Sequence, residues 1–157
     1  MLMSFQQNGW TWSGAFSVES PVTLALKLKN TFQEKNVYFP QVQVIIDGAT
    51  TFIVFSNENK DHPPYIIHNK TNNILTVAQK DVKGASEVIW PNSRVIYTWD
   101  EPTKPHLLQL KIQGKNESEY YKVDKIKKYK PSKVKVFKLL FFNRCFLDWK
   151  FPSRNEG

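Results

Sequence analysis

The sequence has 157 residues, 41 % of them apolar and 14 % aromatic; this is the length of one domain, which buries roughly 68–70 % of its unfolded surface and needs no disulfide or metal to fold. That composition excludes a wholly disordered chain, and no apolar run approaches the ~18 residues of a membrane span. The formal charge of +8 sits at one end: residues 1–110 hold nine Lys/Arg and nine Asp/Glu, whereas residues 111–157 hold thirteen and five, which excludes a basic surface spread over the fold and leaves a local patch or a solvated tail.

The first ten residues, MLMSFQQNGW, have no basic segment followed by an apolar one, so no secretory signal is expected. Residues 1–9 read as a flexible start. A β-rich run follows over residues 10–18. Val22, Leu24, Leu26 and Leu28 then alternate with Thr23, Ala25, Lys27 and Lys29, and Val42, Val44 and Ile46 alternate with Gln41, Gln43 and Ile45; both patterns predict half-buried strands. The next run covers 50–55, and the favoured hairpin joins it across the loop Asp47-Gly48-Ala49, with Val44 opposite Phe52 and Val42 opposite Val54. Further runs at 65–68, 74–79, 94–99, 107–113 and 120–126 are separated by punctuation such as Pro63-Pro64, Pro91-Asn92 and Pro102. About nine short strands with no long helical pattern predict an all-β fold, an antiparallel sandwich or an open barrel-like sheet.

The stretch Lys127-Lys128-Tyr129-Lys130-Pro131-Ser132-Lys133 marks where the compact body ends or turns into one more strand over 134–137. Beyond it, Leu139, Phe142, Phe146 and Trp149 fall at helical spacing. This predicts a short helical or irregular tail, which either packs on the body or lies in a membrane interface. Lys125, Lys127, Lys128, Lys130, Lys133 and Lys135 are the candidates for contact with an anionic surface.

Catalytic machinery is nearly absent. Asp61, His62 and His68 have no spacing that makes them converge on a metal, so no metal site is expected. Asp100 and Glu101 are sequential, so they point apart and read as a turn before Pro102. There is no nucleophile elbow and no phosphate-cradling glycine loop, and Cys145 has no histidine near it in sequence. The single cysteine fits a reducing compartment. The sequons at Asn69 and Asn116 lack the secretory context that glycosylation needs, and the tyrosines among the C-terminal lysines come with no nucleic-acid-binding motif. No enzyme, cofactor or nucleic acid is expected.

The order of several residues carries a resemblance. Trp12-Ser13-Gly14-x-Phe16 is followed by an alternating strand pair. Then come Pro64-Tyr65-Ile66-Ile67-His68-Asn69-Lys70-Thr71, the run from Ile74 to Gln79, Trp90-Pro91-Asn92, and Tyr97-Thr98-Trp99-Asp100-Glu101-Pro102. This set resembles one repeat of the adaptor-binding region, also called the SHR-binding domain, of the vacuolar protein sorting-associated protein 13 (chorein) family. The likeness runs from about Trp10 to Ile126, so residues 10–130 read as one such repeat and residues 131–157 as a basic, aromatic tail, a truncated or alternative terminus.

The resemblance implies a non-enzymatic module cut from a very large bridge-like lipid transfer protein. Such a module receives short proline-containing motifs of adaptor proteins and directs the protein to organelle contact sites. It also implies a cytoplasmic location, peripheral at endosomal, Golgi or other contact-site membranes. The family's characteristic Asn matches Asn69, whose amide suits a strand end; it is either structural or adaptor-binding. Trp12, Trp90, Tyr97 and Trp99 are the candidate platform for a peptide docked by strand addition or in an aromatic groove, with burial in the core as the alternative. The competing reading is a peripheral membrane domain that lays its basic C-terminal segment on anionic lipid.

Overall fold

The computed structural model describes residues 1–33, 36–57 and 64–123. The tail from 131, the six candidate lysines from Lys125 to Lys135, Asp61, His62 and Cys145 lie outside the described residues.

Alternation writes the strands. Two-residue bridges give β1 (Leu2–Met3) and β2 (Phe16–Ser17), and the first alternating run is split into β3 (Val22–Ala25) and β4 (Leu28–Lys29). After β5 (Val37–Tyr38) come the two long strands β6 (Gln41–Asp47) and β7 (Thr50–Ser56). The second half holds β8 (Tyr65–His68), β9 (Leu75–Gln79), β10 (Ser86–Ile89), β11 (Arg94–Tyr97), β12 (Leu108–Ile112) and β13 (Ser118–Tyr121). The fold is all-β as expected, with thirteen strands among the described residues in place of about nine, because several two-residue bridges and β10 carry too little pattern to read. Among the described residues, none of the five antiparallel sheets closes into a barrel.

Two lobes follow from two apolar cores. In the first, the sheet β3-β6-β7 and the short pairs β1-β2 and β4-β5 enclose Phe16, Leu26, Leu28, Val42 and Val44. Residues 1–9 contribute β1, and Met3 and Phe5 pack on this core. In the second, the four-stranded sheet β10-β9-β12-β13 and the pair β11-β8 share one core that includes Ile67, Leu75, Tyr97, Leu108 and Leu110. That is a sandwich, and its strands β8, β9 and β12 alternate cleanly between buried and less buried positions.

The hairpin register differs from the expected one. Asp47 pairs with Thr50, Val44 with Ile53 and Val42 with Phe55, so the loop is the two residues Gly48 and Ala49. Gly48 has φ +58° and Ala49 does not share that left-handed region, the pattern of a turn that needs glycine only at its first central position. The alanine is therefore no obstacle to a tight turn.

The lobes meet at a buried ion cluster. Lys27, placed between β3 and β4 with its side chain 2 % exposed, pairs with Glu87 of β10 and with Asp100 at 3.0 Å. Its ammonium also lies 5.1 Å from the centroid of the Tyr97 ring. Gly14 completes the junction: a Cβ there would stand 2.1 Å from the Asp100 carbonyl and 2.7 Å from Pro102, so the two backbones approach only because the side chain is a hydrogen.

Candidate functional site

Asn69 follows β8 and has no exposed surface. Its Nδ2 donates to the carbonyls of Asn73 at 2.8 Å, Ile89 at 3.1 Å and Trp90 at 3.0 Å. Its Oδ1 accepts from the backbone N–H of Thr71 at 3.0 Å and from the Thr71 hydroxyl at 2.8 Å. One amide thus closes the turn after β8 and anchors the end of β10, satisfying groups that would otherwise be buried without partners.

Gln79 does the same at the other end of the sandwich. It is fully buried, donates to the carbonyls of Glu101 at 2.9 Å and Pro105 at 3.3 Å, and accepts from the Glu101 N–H at 2.9 Å. Asp100 and Glu101 occupy the lobe junction as well as a turn: besides the Lys27–Asp100 pair, Glu101 accepts from the Ala15 N–H at 3.4 Å. His106 stacks on Trp99 with ring centroids 4.7 Å apart.

The four aromatic candidates do not form one platform. Tyr97 is fully buried and Trp99 is 5 % exposed, both in the second core, whereas Trp12 and Trp90 are 63 % and 62 % exposed. No ring contact among the described residues joins the two exposed tryptophans.

Each exposed tryptophan stands on a fixed backbone. The Trp90 carbonyl accepts from Asn69 Nδ2, from the Ser93 hydroxyl at 2.7 Å and from the Ser93 N–H at 3.2 Å. Asn92, in the turn between them, takes φ +54°, a conformation that Asn tolerates better than most residues. Val88 is two residues before Trp90 and is also exposed, so both side chains lie on one face of β10 and its extension. Trp12 lies between Thr11, whose N–H donates to the Lys29 carbonyl, and Ser13, whose N–H donates to the Phe5 carbonyl.

Charge chemistry is sparse. Burial, and then the cations of Lys70 and Arg94, hold the His68 imidazole below its ordinary pKa. Burial first, then the charges of Asp100 and Glu87, pushes the Tyr97 hydroxyl far above the usual phenol range. Among the described residues there is no cluster of three His, Cys, Asp or Glu side chains that would hold a metal, and no helix long and apolar enough to cross a membrane.

The sequence is matched over residues 1–106 by the family model of the vacuolar-sorting associated protein 13 adaptor binding domain. It is 33 % identical over 122 residues to the intermembrane lipid transfer protein vps13A of Dictyostelium discoideum, covering 77 % of this chain and 4 % of that protein. It is 29 % identical over 134 residues to vps13E of the same organism, covering 76 % of this chain and 3 % of the relative. The human intermembrane lipid transfer protein VPS13D is 29 % identical over 110 residues, 69 % of this chain and 2 % of that protein. The chain therefore spans only a few per cent of the length of these curated relatives. No solved structure matches.

Proposed function

This chain belongs to the vacuolar-sorting associated protein 13 family, and from that premise we propose that it is a non-enzymatic module of a bridge-like intermembrane lipid transfer protein, binding short proline-containing motifs of adaptors that direct the protein to organelle contact sites. The observation that carries this reading is the match of residues 1–106 to the adaptor binding domain. The geometry supports a receiving site on the second lobe. Among the described residues β10 is an edge strand of its sheet, and Val88 and Trp90 stand exposed along it, an edge beside an apolar pair on which an extended peptide can lie. Proline in the incoming strand is tolerated wherever its missing N–H faces solvent.

Asn69 has no surface for a peptide to touch; it acts as a positioning residue that holds the Trp90 backbone. An array of synthetic proline-containing peptides from organelle membrane proteins tests the reading. The wild-type chain retains a subset of them, and Trp90→Ala weakens that binding ~30-fold, the size of a tryptophan hot spot, while the folded state persists. Retention of no peptide, or binding indifferent to Trp90, would overturn it.

The charge distribution supports a second contact, with an anionic membrane surface. The thirteen Lys/Arg of residues 111–157 each contribute about 1 kcal/mol when close to an anionic leaflet. Binding to phosphatidylserine vesicles at low salt, abolished at high salt and weakened in a chain ending at Lys130, which keeps seven of those thirteen cations, is expected; no binding at low salt sinks this second contact.

A further inference from the structure

The β6–β7 hairpin is apolar on both faces. Val42 and Val44 oppose Phe55 and Ile53 on the core side, while on the other face Ile45 opposes Phe52 and Gln43 opposes Val54. Ile45, Phe52 and Val54 are 38, 49 and 46 % exposed. An antiparallel sheet with one solvated face is ordinarily polar there. β7 is also an edge, since among the described residues it pairs with β6 alone. Its sequence, Thr-Thr-Phe-Ile-Val-Phe-Ser, has no charge and no proline, the usual devices that keep an edge from pairing.

The register fixes what that edge offers. Across a two-residue loop the flanking pair, Asp47 and Thr50, is hydrogen-bonded, and such pairs alternate along the ladder. Thr50, Phe52, Val54 and Ser56 thus turn their N–H and C=O groups toward β6. Thr51, Ile53 and Phe55 turn theirs to the open edge.

We propose that β7 pairs antiparallel with β7 of a second copy of this chain, about a two-fold axis through Ile53. The strand is self-complementary in that arrangement: Ile53 meets Ile53, Thr51 meets Phe55, Phe52 meets Val54 and Thr50 meets Ser56. Every outward-facing residue falls in a hydrogen-bonded pair. The aromatic and β-branched side chains of Phe52 and Val54 face one another twice, a favourable cross-strand pair, and no like charges are opposed. The two three-stranded sheets become one continuous sheet whose outer apolar stripe runs from Ile45 of one copy to Ile45 of the other.

Sedimentation equilibrium of the full chain tests this pairing. The wild-type mass rises toward the dimer with concentration, and the amides of Thr51, Ile53 and Phe55 gain protection from hydrogen exchange in parallel. Phe52→Lys with Val54→Lys raises the dissociation constant at least ~10-fold, as does Phe52→Glu with Val54→Glu, because each sets like charges opposite one another. Mixing the two variants restores a dimer, since lysine then faces glutamate at both positions. A wild-type chain monomeric up to its solubility limit, with no concentration-dependent protection at these amides, overturns the proposal. So does a lysine variant that dimerises as readily as the wild type, or a mixture of folded variants that stays monomeric.

Discussion

The two lobes of this chain solve the same packing problem with different completeness. The second lobe surrounds its core with two sheets, and at the Asn69 and Gln79 turns it answers buried backbone carbonyls with an amide. The first lobe buries one face of a three-stranded sheet and leaves Ile45, Phe52 and Val54 outside. Buried polar clamps make a lobe specific and self-contained; an apolar outer face and an uncharged edge leave a lobe open to a partner.

The largest test of that contrast acts where the lobes meet. Lys27→Met leaves Glu87 and Asp100 as mostly buried carboxylates without their cation, and the expected loss is ~3–5 kcal/mol in urea unfolding. Adding Glu87→Gln and Asp100→Asn removes the stranded charge and recovers most of it. A loss below ~1 kcal/mol would mean that the lobes are held by the Gly14 contact and apolar packing instead.

Asn69→Ala comes next and touches the second lobe alone. The carbonyls of Asn73, Ile89 and Trp90 lose a donor together, so a loss of ~2–4 kcal/mol is expected. Amide exchange should accelerate in β8 and β10 and stay unchanged in β6 and β7. Uniform acceleration across both lobes would show that they unfold as one unit.

Tyr97→Phe gives a smaller effect. The Tyr97 hydroxyl is buried without a partner among the described residues, and removing it spares the ring that lies under the Lys27 ammonium. Stability should hold within ~1 kcal/mol or rise; a larger loss would reveal a hydrogen bond to the hydroxyl, for instance through a buried water.

The same contrast decides what was legible in the sequence. Among the residues that carried the family resemblance, Tyr65, Ile67, Asn69, Thr71, Gln79, Tyr97 and Trp99 are buried in the second lobe, whereas Phe16 is buried in the first and Trp12 and Trp90 are exposed. Those of the second lobe form a folding signature: period-two apolar positions interrupted by the amides that close the turns. Strand β10 was missed because Val88 is exposed while Glu87 leans inward to Lys27, the reverse of an amphipathic reading. Lys27 itself sits in a run that alternates like a solvated strand, and its partners are 60 and more residues away, beyond any local pattern. The choice among the four aromatic candidates needed three dimensions, since Trp90, after β10, is exposed and Trp99, after β11 of the other sheet, is packed into the second core.

The smallest expected effect is pH-dependent and again separates the lobes. His68 and Arg94 face one another across β8 and β11, and burial together with the Lys70 and Arg94 charges lowers the His68 pKa from 6.5. The unfolded chain then binds a proton more readily than the fold does, so stability rises with pH across this window. His68 costs nothing above about pH 6.5, and as the pH falls from there toward the lowered folded value, stability is progressively lost. His68→Gln should flatten that slope in urea midpoints measured between about pH 7.5 and 5. Amide exchange should locate the acid sensitivity in β8 and β11, because His68 lies in β8 and pairs with Arg94 of β11. An unchanged slope in His68→Gln would assign the acid sensitivity to another group, and faster exchange in β6 and β7 on acidification would show that protonation in one lobe is felt across the Lys27 junction.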